Sequence, residues 1–437
     1  KNKKINERKF TMEKLFKLKE HGTDVKTEII AGITTFLAMA YILAVNPSYL
    51  GGIDGMSAGA VFSATAISAG IATLCMAFFA NYPVALASGM GLNAFFAFTV
   101  CGAMGYSYKV ALTAVFIEGS IFMLLSLFKF REALVNKIPS NLKFAITAGI
   151  GLFIAIIALL NANVVVASES TTVALGELSS PTVVLSLVGL LIIGALQHYK
   201  VPGGILLGIL ITWVLGIMAQ LVGWYVPNPE AGVYSVIPQF SLSSFEAPKM
   251  FQFDFGFIAK NVPAFILIVF TFLYTDIFDT VGTLIGVAEK GKLLDKDGSL
   301  PNATGALMAD AVGTVVGACF GTSTVTSYVE SSAGVAAGGR TGLTAVTTAV
   351  LFFISLIFAP IFTSIPSFAT TPAMLYVGLL MLSSIRQVKF DGDIADAIGA
   401  FLAIVMMPLT YSIANGIMFG IVSWVILKLV TGKAKDI

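Results

Sequence analysis

The chain has 437 residues, of which 57% are hydrophobic and only 11% charged, and its formal net charge is +2. Soluble globular domains carry about 25% charged residues, so this composition excludes an ordinary soluble enzyme, a disordered chain and a nucleic-acid-binding protein. It indicates a protein embedded in the lipid bilayer. We expect no cleavable signal peptide, because the first 28 residues are polar and basic.

Apolar stretches of membrane-spanning length recur along the whole chain. We predict fourteen membrane segments, near residues 29–47, 58–80, 83–101, 110–128, 141–160, 182–197, 203–223, 262–286, 304–320, 321–336, 342–362, 368–385, 394–411 and 414–431. Two are weak, since 83–101 contains Pro83 and several glycines, and 321–336 contains a hydroxyl run with Glu330. Irregular backbone at membrane depth is tolerated only inside protein or beside a cavity, so both are predicted to be broken spans.

Lysine and arginine are concentrated in alternate loops, and the loops near 46–57, 161–181, 360–367 and 411–414 contain none. With the basic N-terminus inside, this asymmetry fits the positive-inside rule for an even number of spans near fourteen. Both termini are therefore predicted to be cytoplasmic. The predicted divisions are a cytoplasmic segment 1–27, a first seven-span repeat 28–223, an extracytoplasmic loop 224–261, a second seven-span repeat 262–431 and a cytoplasmic tail 432–437.

Two similar short sequences support the division into repeats. KVALTAV begins at Lys109 and RTGLTAV begins at Arg340, and each follows directly after one of the broken spans. Because seven is odd, the second half must cross the membrane in the opposite sense. Such an inverted repeat is typical of secondary transporters, whose sites lie near the bilayer midplane.

Acidic residues occur inside the predicted spans, where no lysine or arginine lies at comparable depth. These acids are Glu118, Asp276, Asp279, Asp310 and Glu330. A charge at the bilayer centre costs about 2.5–3.5 kcal/mol, so unpaired acids there are expected to be protonated and able to exchange protons. The pattern favours proton or cation coupling over anion transport. At helical spacing, Asp276, Asp279 and Thr283 share one face.

The hydroxyl-rich run before Glu330 favours extended backbone, followed by a helix that begins near Ser331 and Ser332. The N-terminus of that helix is expected to present free N–H groups to a ligand. Glu118 fits a structural acid as well as a functional one, and Asp310 fits a structural or helix-capping role better.

The first-turn acids Asp393 and Asp396 are expected to be stabilised by the helix dipole. The two histidines lie outside the spans and the three cysteines lack ligand spacing, so we expect no metal site and no cofactor. No nucleophile has a partnered base in the membrane, which argues against an enzyme. A channel or facilitator for a small polar solute stays open as the alternative.

Three runs together resemble the nucleobase:cation symporter family 2, the nucleobase–ascorbate transporters, and within it the AzgA-like purine permeases. They are GMGLNAFF (89–96), FDTVGTLIGVA (278–288) and GTSTVTSYVESSAGVAAGGRTG (321–342). The resemblance covers essentially the whole chain. It implies an all-α polytopic membrane protein with fourteen spans in a seven-plus-seven inverted repeat. Spans 1–4 and 8–11 would form a core domain, spans 5–7 and 12–14 a gate domain, and broken spans 3 and 10 would carry short antiparallel strands.

The same resemblance implies roles for individual residues. Asp279 and Glu330 match the substrate-binding acids of spans 8 and 10, and Thr283 replaces a histidine of the uracil branch. Gly91 and Asn93 match residues of span 3 that are implicated in purine binding. Asp276 joins the site through its position beside Asp279, where it either shapes the site or carries the proton. Glu330, Asp279 and Asp276 are thus the candidates for proton coupling.

The resulting expectation is import of purine nucleobases by proton symport with alternating access across the cell membrane. Carboxylates accept the paired N–H donors of a base edge well, which favours guanine and hypoxanthine, with adenine as the alternative. We expect one of Phe95, Phe96, Phe278 or Tyr328 to stack on the base. Members of the family are often dimers, so a homodimer is one possible assembly.

Overall fold

The computed structural model describes residues 13, 15–127, 140–168, 171–227, 234–237, 246–295 and 300–434. Within them, eleven helices are long and apolar enough to cross a membrane, and the apolar helices Met90–Ala103 and Ile394–Leu409 are shorter. Each predicted span contains one of these helices or, at 321–336, a strand and a short helix. The crossing number of fourteen stays a prediction. Parts of the predicted segment 1–27, of the predicted loop 224–261 and of the tail 432–437 lie outside the described residues.

We number the elements in chain order. They are α1 (Val25–Met39), α2 (Ile42–Leu50), α3 (Ala58–Phe79), β1 (Leu86–Ser88), α4 (Met90–Ala94), a π-helix (Phe95–Ala103), α5 (Tyr108–Leu127), α6 (Ser140–Asn161), β2 (Val165–Ser168), β3 (Thr172–Leu175), α7 (Pro181–His198), α8 (Gly204–Leu221), α9 (Gly256–Lys260), α10 (Val262–Gly291), α11 (Ala303–Phe320), β4 (Val325–Ser327), α12 (Ser331–Ala336), α13 (Gly342–Ser355), a 3-10 turn (Leu356–Phe358), α14 (Ala359–Phe362), α15 (Ser367–Leu382), a second 3-10 turn (Ser383–Gln387), α16 (Ile394–Leu409) and α17 (Ile413–Val430).

The chain divides into two compact units, each built from both halves of the sequence. Unit 1 comprises residues 1–93, 109–131 and 243–359, and unit 2 comprises residues 94–108, 132–242 and 360–437. The five acids that the sequence placed inside spans (Glu118, Asp276, Asp279, Asp310 and Glu330) and both short strands of the broken spans belong to unit 1.

The two broken spans meet in a short antiparallel ladder in unit 1. Leu86 pairs with Ser327 and Ser88 pairs with Val325, and the ladder continues through a 3.0 Å bond from the Gly89 N–H to the Thr324 carbonyl. Both strands are buried throughout. Because buried backbone groups must be paired, each strand satisfies the other where helical bonding stops. The predicted breaks and the predicted strands are thus both present.

The first span is less regular than the sequence suggested. Asp24 caps α1 by accepting from the backbone N–H groups of Lys26 at 2.8 Å and Thr27 at 3.0 Å. The α-helix then ends at Met39, and a tight turn with i to i+3 hydrogen bonds around Tyr41 leads into α2. The hydrophobic pattern of the sequence does not predict this interruption, because the residues on both sides of the turn are apolar.

Glu28 fastens α1 to the start of α13. Its carboxylate is fully buried and accepts from the Arg340 N–H at 2.8 Å, the Thr341 hydroxyl at 2.9 Å and the Thr344 hydroxyl at 2.6 Å. A buried carboxylate is tolerated when its lone pairs are filled in this way. Glu28 is therefore a structural acid that caps the N-terminus of α13 from another span.

Close helix contacts in each unit occur at small residues. In unit 1, a Cβ added to Gly313 of α11 would lie 2.7 Å from the Cβ of Ala72 in α3. In unit 2, a Cβ added to Gly151 of α6 would lie 2.6 Å from the carbonyl oxygen of Gly378 in α15. Membrane helices that lack a hydrophobic driving force between them gain packing energy by such close approach.

At the start of α16, Asp393 is the N-cap and Asp396 lies in the first turn, and both acids form ion pairs. Asp393 accepts from the Ala395 N–H at 2.8 Å and pairs with Lys428 at 3.0 Å and Lys433 at 2.6 Å. The hydrogen bond from Lys433, followed by that from Lys428, holds the pKa of Asp393 well below its ordinary value. Asp396 accepts from the Trp424 indole N–H at 2.6 Å. Together these contacts join the start of α16 to the end of α17.

Candidate substrate site

Glu330 lies where the strand of the second broken span passes into α12. Its Oε1 accepts a 2.6 Å hydrogen bond from the hydroxyl of Tyr41, whose side chain is almost fully buried. The turn in the first span is what brings Tyr41 to this point. Tyr41 was not among the residues that the sequence singled out, because an isolated tyrosine in an apolar span gives no periodic signal.

Asp279 of α10 lies within electrostatic reach of Glu330. The hydroxyls of Tyr41 and Tyr328 each lie near both carboxyls. We call Asp279, Glu330, Tyr41 and Tyr328 the first acid cluster. It combines two hydrogen-bond acceptors with two phenol groups, a set suited to a flat ligand that presents N–H donors at its edge.

Among the four aromatic candidates, Tyr328 is the one that lies in this cluster. Its hydroxyl donates a 2.5 Å bond to the carbonyl oxygen of Ser88 at the end of β1. The ring of Phe278 lies 4.5 Å from that of Tyr274. Phe95 and Phe96 are buried in the π-helix, which belongs to unit 2.

Asn93 cross-links the two broken spans. It is fully buried, accepts a hydrogen bond from the Ser323 hydroxyl and donates one to the Ser88 carbonyl at 3.5 Å. Gly91 is buried in the same short helix, and Thr283 lies half-buried one turn after Asp279. Asn93 is therefore tied to Ser88, the residue that Tyr328 also contacts.

One expectation about Glu330's surroundings is wrong. The N–H groups of Ser331, Ser332 and Ala333 bond to the carbonyls of Tyr328, Val329 and Glu330 at 3.1, 3.0 and 2.9 Å. The start of α12 is a tight turn, so these groups are already used and are not free for a ligand.

A second acid cluster consists of Glu118 of α5, Asp276 of α10 and Asp310 of α11, all fully buried. Glu118 is directed at Asp276, Asp310 and Thr324. The two acids of the polar stripe of α10 therefore have different neighbours. Asp276 lies near Glu118 and Asp310, whereas Asp279 lies near Glu330. Asp310 is not a helix cap, since Asn302 precedes the first turn of α11 and Asp310 lies inside the helix.

The hydroxyl run on and around β4 contacts the second acid cluster and leads along the chain to Tyr328 and Glu330 of the first. Ser327 donates to Asp310 at 2.9 Å. Thr280 shares a 2.8 Å bond with Thr326 and donates a long 3.5 Å bond to Asp276. The sequence indicated extended backbone here, but it gave no sign that Ser327 bonds to an acid of α11 or that Thr326 bonds to Thr280 of α10.

A bundle of apolar helices with two interrupted spans, whose strands meet beside buried carboxyls, is the fold of a multi-span membrane transporter. The chain belongs to the Permease family, since the family's sequence model, Xan_ur_permease, matches residues 26–419. It is a membrane permease and not an enzyme.

Several named relatives cover nearly the whole chain. It is 43% identical over 427 residues to the adenine permease AdeQ of Escherichia coli K12, covering 98% of this chain and 93% of that protein. It is 45% identical over 432 residues to the guanine/hypoxanthine permease PbuO of Bacillus subtilis 168, and the match covers 97% of this chain and 96% of that protein. It is 46% identical over 426 residues to the putative permease MJ0326 of Methanocaldococcus jannaschii, covering 98% and 94%.

Among solved structures, the transmembrane domain of the cyanobacterial bicarbonate transporter BicA superimposes with a TM-score of 0.67 at 16% identity, covering 89% of this chain and 97% of that domain. The anion transporter Slc26a9 of mouse, in its inward-facing state, superimposes with a TM-score of 0.64 at 11% identity. That match covers 93% of this chain and 68% of the mouse chain. At these identities the likeness concerns the fold.

Proposed function

We propose that this permease imports purine nucleobases by proton symport with alternating access. The observation that carries the proposal is the first acid cluster, in which Asp279 and Glu330 from different spans lie together with two tyrosines. The names of relatives that match nearly end to end support the substrate class, since they are adenine and guanine/hypoxanthine permeases.

The chemistry of the cluster explains why a purine would fit. The base is flat and neutral, and its edge carries N–H donors that pair well with carboxylates, because charge-assisted hydrogen bonds are the stronger kind. Tyr328 supplies an aromatic face near both acids. In this proposal Asn93 and Gly91 close the site from the first broken span, and Thr283 extends it by one turn. Guanine and hypoxanthine are favoured, with adenine as the alternative.

The proposal includes a topology. Fourteen spans form a seven-plus-seven inverted repeat with both termini in the cytoplasm. Unit 1, with residues 1–93 and 243–359 among its parts, contains most of the spans assigned to a core domain, although the second part of span 3 belongs to unit 2, which contains those assigned to a gate domain. The inverted pairing of β1 from the first half with β4 from the second supports the repeat.

Reconstituted protein tests the function directly. We expect liposomes that contain it to take up labelled guanine when the outside is more acidic, and a protonophore to abolish accumulation. Unlabelled hypoxanthine should compete strongly, adenine less, and uracil hardly at all. Uptake that needs sodium and ignores the protonophore would reject proton symport, whereas uptake of purines without saturation or counter-exchange would favour a channel.

A further inference from the structure

The second acid cluster is not required for holding a base in the proposed function. Glu118, Asp276 and Asp310 come from α5, α10 and α11, and each is 0% exposed. The charged groups that act on Glu118 and Asp276 are these acids themselves and, for Asp276, also Asp279 of the same helix. Among the described residues, no lysine, arginine or histidine is one of the charged groups that act on Glu118 and Asp276.

Two buried side chains whose polar atoms lack a hydrogen bond in good geometry indicate that the cluster takes a small ligand. Neither carboxyl oxygen of Glu118 meets a hydrogen-bond partner in good geometry, and neither does the hydroxyl of Thr324. Thr324 is fully buried and is directed at Glu118. Buried polar atoms are rarely left without partners, so each such atom calls for an explanation.

Protons bound to the carboxyl groups would supply further hydrogen-bond donors to the second acid cluster. Several carboxylates buried together without a cation cannot all carry charge, and groups that lie this close share protons as a set. A protonated carboxyl gains an O–H donor, which its neighbour can accept. Within the described residues, no three His, Cys, Asp or Glu side chains are placed to hold a metal ion together, so the geometry favours protons over a metal ion.

We propose that the cluster of Glu118, Asp276 and Asp310 is the site that takes up the transported proton, separate from the carboxyls that contact the base. The inference rests on the proposed function and deepens it. A proton that enters from one side adds to a carboxylate of the cluster to give a carboxylic acid, and the same proton leaves to water on the other side. No other bond forms or breaks.

The hydroxyls around β4 give the cluster a route to the base site. Proton uptake changes what Asp310 can accept from Ser327 and what Asp276 can accept from Thr280, which also bonds to Thr326. The next residues of the same segment lead to Glu330. A change in protonation thereby biases the position of the strand that holds the base-binding acid.

The test measures base binding and proton uptake in the same purified protein. We expect Glu118→Gln to bind labelled guanine within about threefold of the wild type, while the proton uptake that accompanies binding in weakly buffered solution falls to background. In liposomes the variant should exchange guanine for guanine but no longer accumulate it against a gradient. The surface variant Glu177→Gln is the matched control, because Glu177 is exposed.

A second variant and a second readout keep the test decisive. Asp310→Asn preserves an acceptor for Ser327 and should also lose proton uptake. The infrared band of protonated carboxyls should weaken in both variants without any base present, so this readout is independent of the substrate. If the wild type shows no purine-linked proton uptake, the proposed function fails, and the infrared band still tests the cluster.

Three results would overturn the inference. The first is unchanged proton uptake and an unchanged carboxyl band in both variants. The second is loss of guanine binding by folded Glu118→Gln protein, which would place Glu118 in the base site. The third is sodium that replaces the proton in binding and transport by the wild type.

Discussion

The hydroxyl of Tyr41 donates a 2.6 Å hydrogen bond to the carboxyl of Glu330, 289 residues later in the chain. It joins the turn of the first span to the point where the second broken span becomes helical. The bond fixes the direction of the one acid that both sequence and structure place at the end of a buried strand. A base that arrives therefore meets an oriented acceptor, which lowers the ordering cost of binding.

Removing either acid of the first cluster should weaken base binding. Glu330→Gln and Asp279→Asn conserve volume but lose a charge-assisted hydrogen bond, which is worth about 1.5–3 kcal/mol, or roughly a ten- to hundredfold loss of affinity. Equilibrium binding of labelled guanine to purified protein measures this, with Glu177→Gln as the control. Unchanged affinity in both folded variants would place the site elsewhere.

Tyr41→Phe removes only the hydroxyl that orients Glu330. We expect about tenfold weaker base binding, since one hydrogen bond to a charged group is worth at least about 1.5 kcal/mol. Tyr234 is exposed, so Tyr234→Phe serves as a matched control with unchanged binding. Equal affinities for the two variants would mean that the Tyr41 bond plays no part in recognition.

The loop asymmetry predicts opposite labelling on the two faces of the membrane. A cysteine at Tyr234, which is exposed, should react with an impermeant thiol reagent on intact cells. A cysteine at the exposed Lys200 should react only after lysis. The native cysteines are partly buried, and the unsubstituted protein measures their background. The reverse pattern would contradict the fourteen-span topology.

Glu28→Gln should destabilise the protein without a direct effect on the site chemistry. The charged acceptor of bonds to Arg340, Thr341 and Thr344 is lost, and an amide group brings donors where only acceptors fit. We expect the cost to be about 2–3 kcal/mol, seen as a lower unfolding temperature. The control variant Glu177→Gln should unfold at the temperature of the wild type. An unchanged unfolding temperature for Glu28→Gln would show that the hydrogen bonds of Glu28 do not stabilise the fold.

The ion pairs at the start of α16 should make stability depend on pH. The pKa of Asp393 is depressed in the folded state by Lys433 and Lys428, so its contribution is present above the unfolded value of about 3.9 and is lost as pH falls through the folded value. Asp393→Asn should lower the unfolding temperature at neutral pH, and the difference from the wild type should shrink as pH falls below about 4. The exposed neighbour Asp391 offers the control, Asp391→Asn, which should show no such trend.

The sequence by itself determined that the protein lies in a membrane, that two spans are broken, and that acids lie on separate spans. Each of these follows from local composition. Apolar runs of spanning length need lipid, and proline, glycine and hydroxyl residues interrupt helical bonding wherever they cluster. The same local motifs carried the family resemblance, and the start of α12 near Ser331 followed from the hydroxyl run.

The tertiary structure alone decided which acids belong together. Asp276 and Asp279 differ by three positions in one helix, yet the first lies with Glu118 and Asp310 and the second with Glu330. It also assigned Tyr41 to Glu330. These partners lie on different spans that are far apart in the chain. The hydrophobic pattern of a sequence predicts whether a residue is buried, but not which residue it contacts. What a buried polar group meets depends on how the helices pack, which a single sequence does not specify locally.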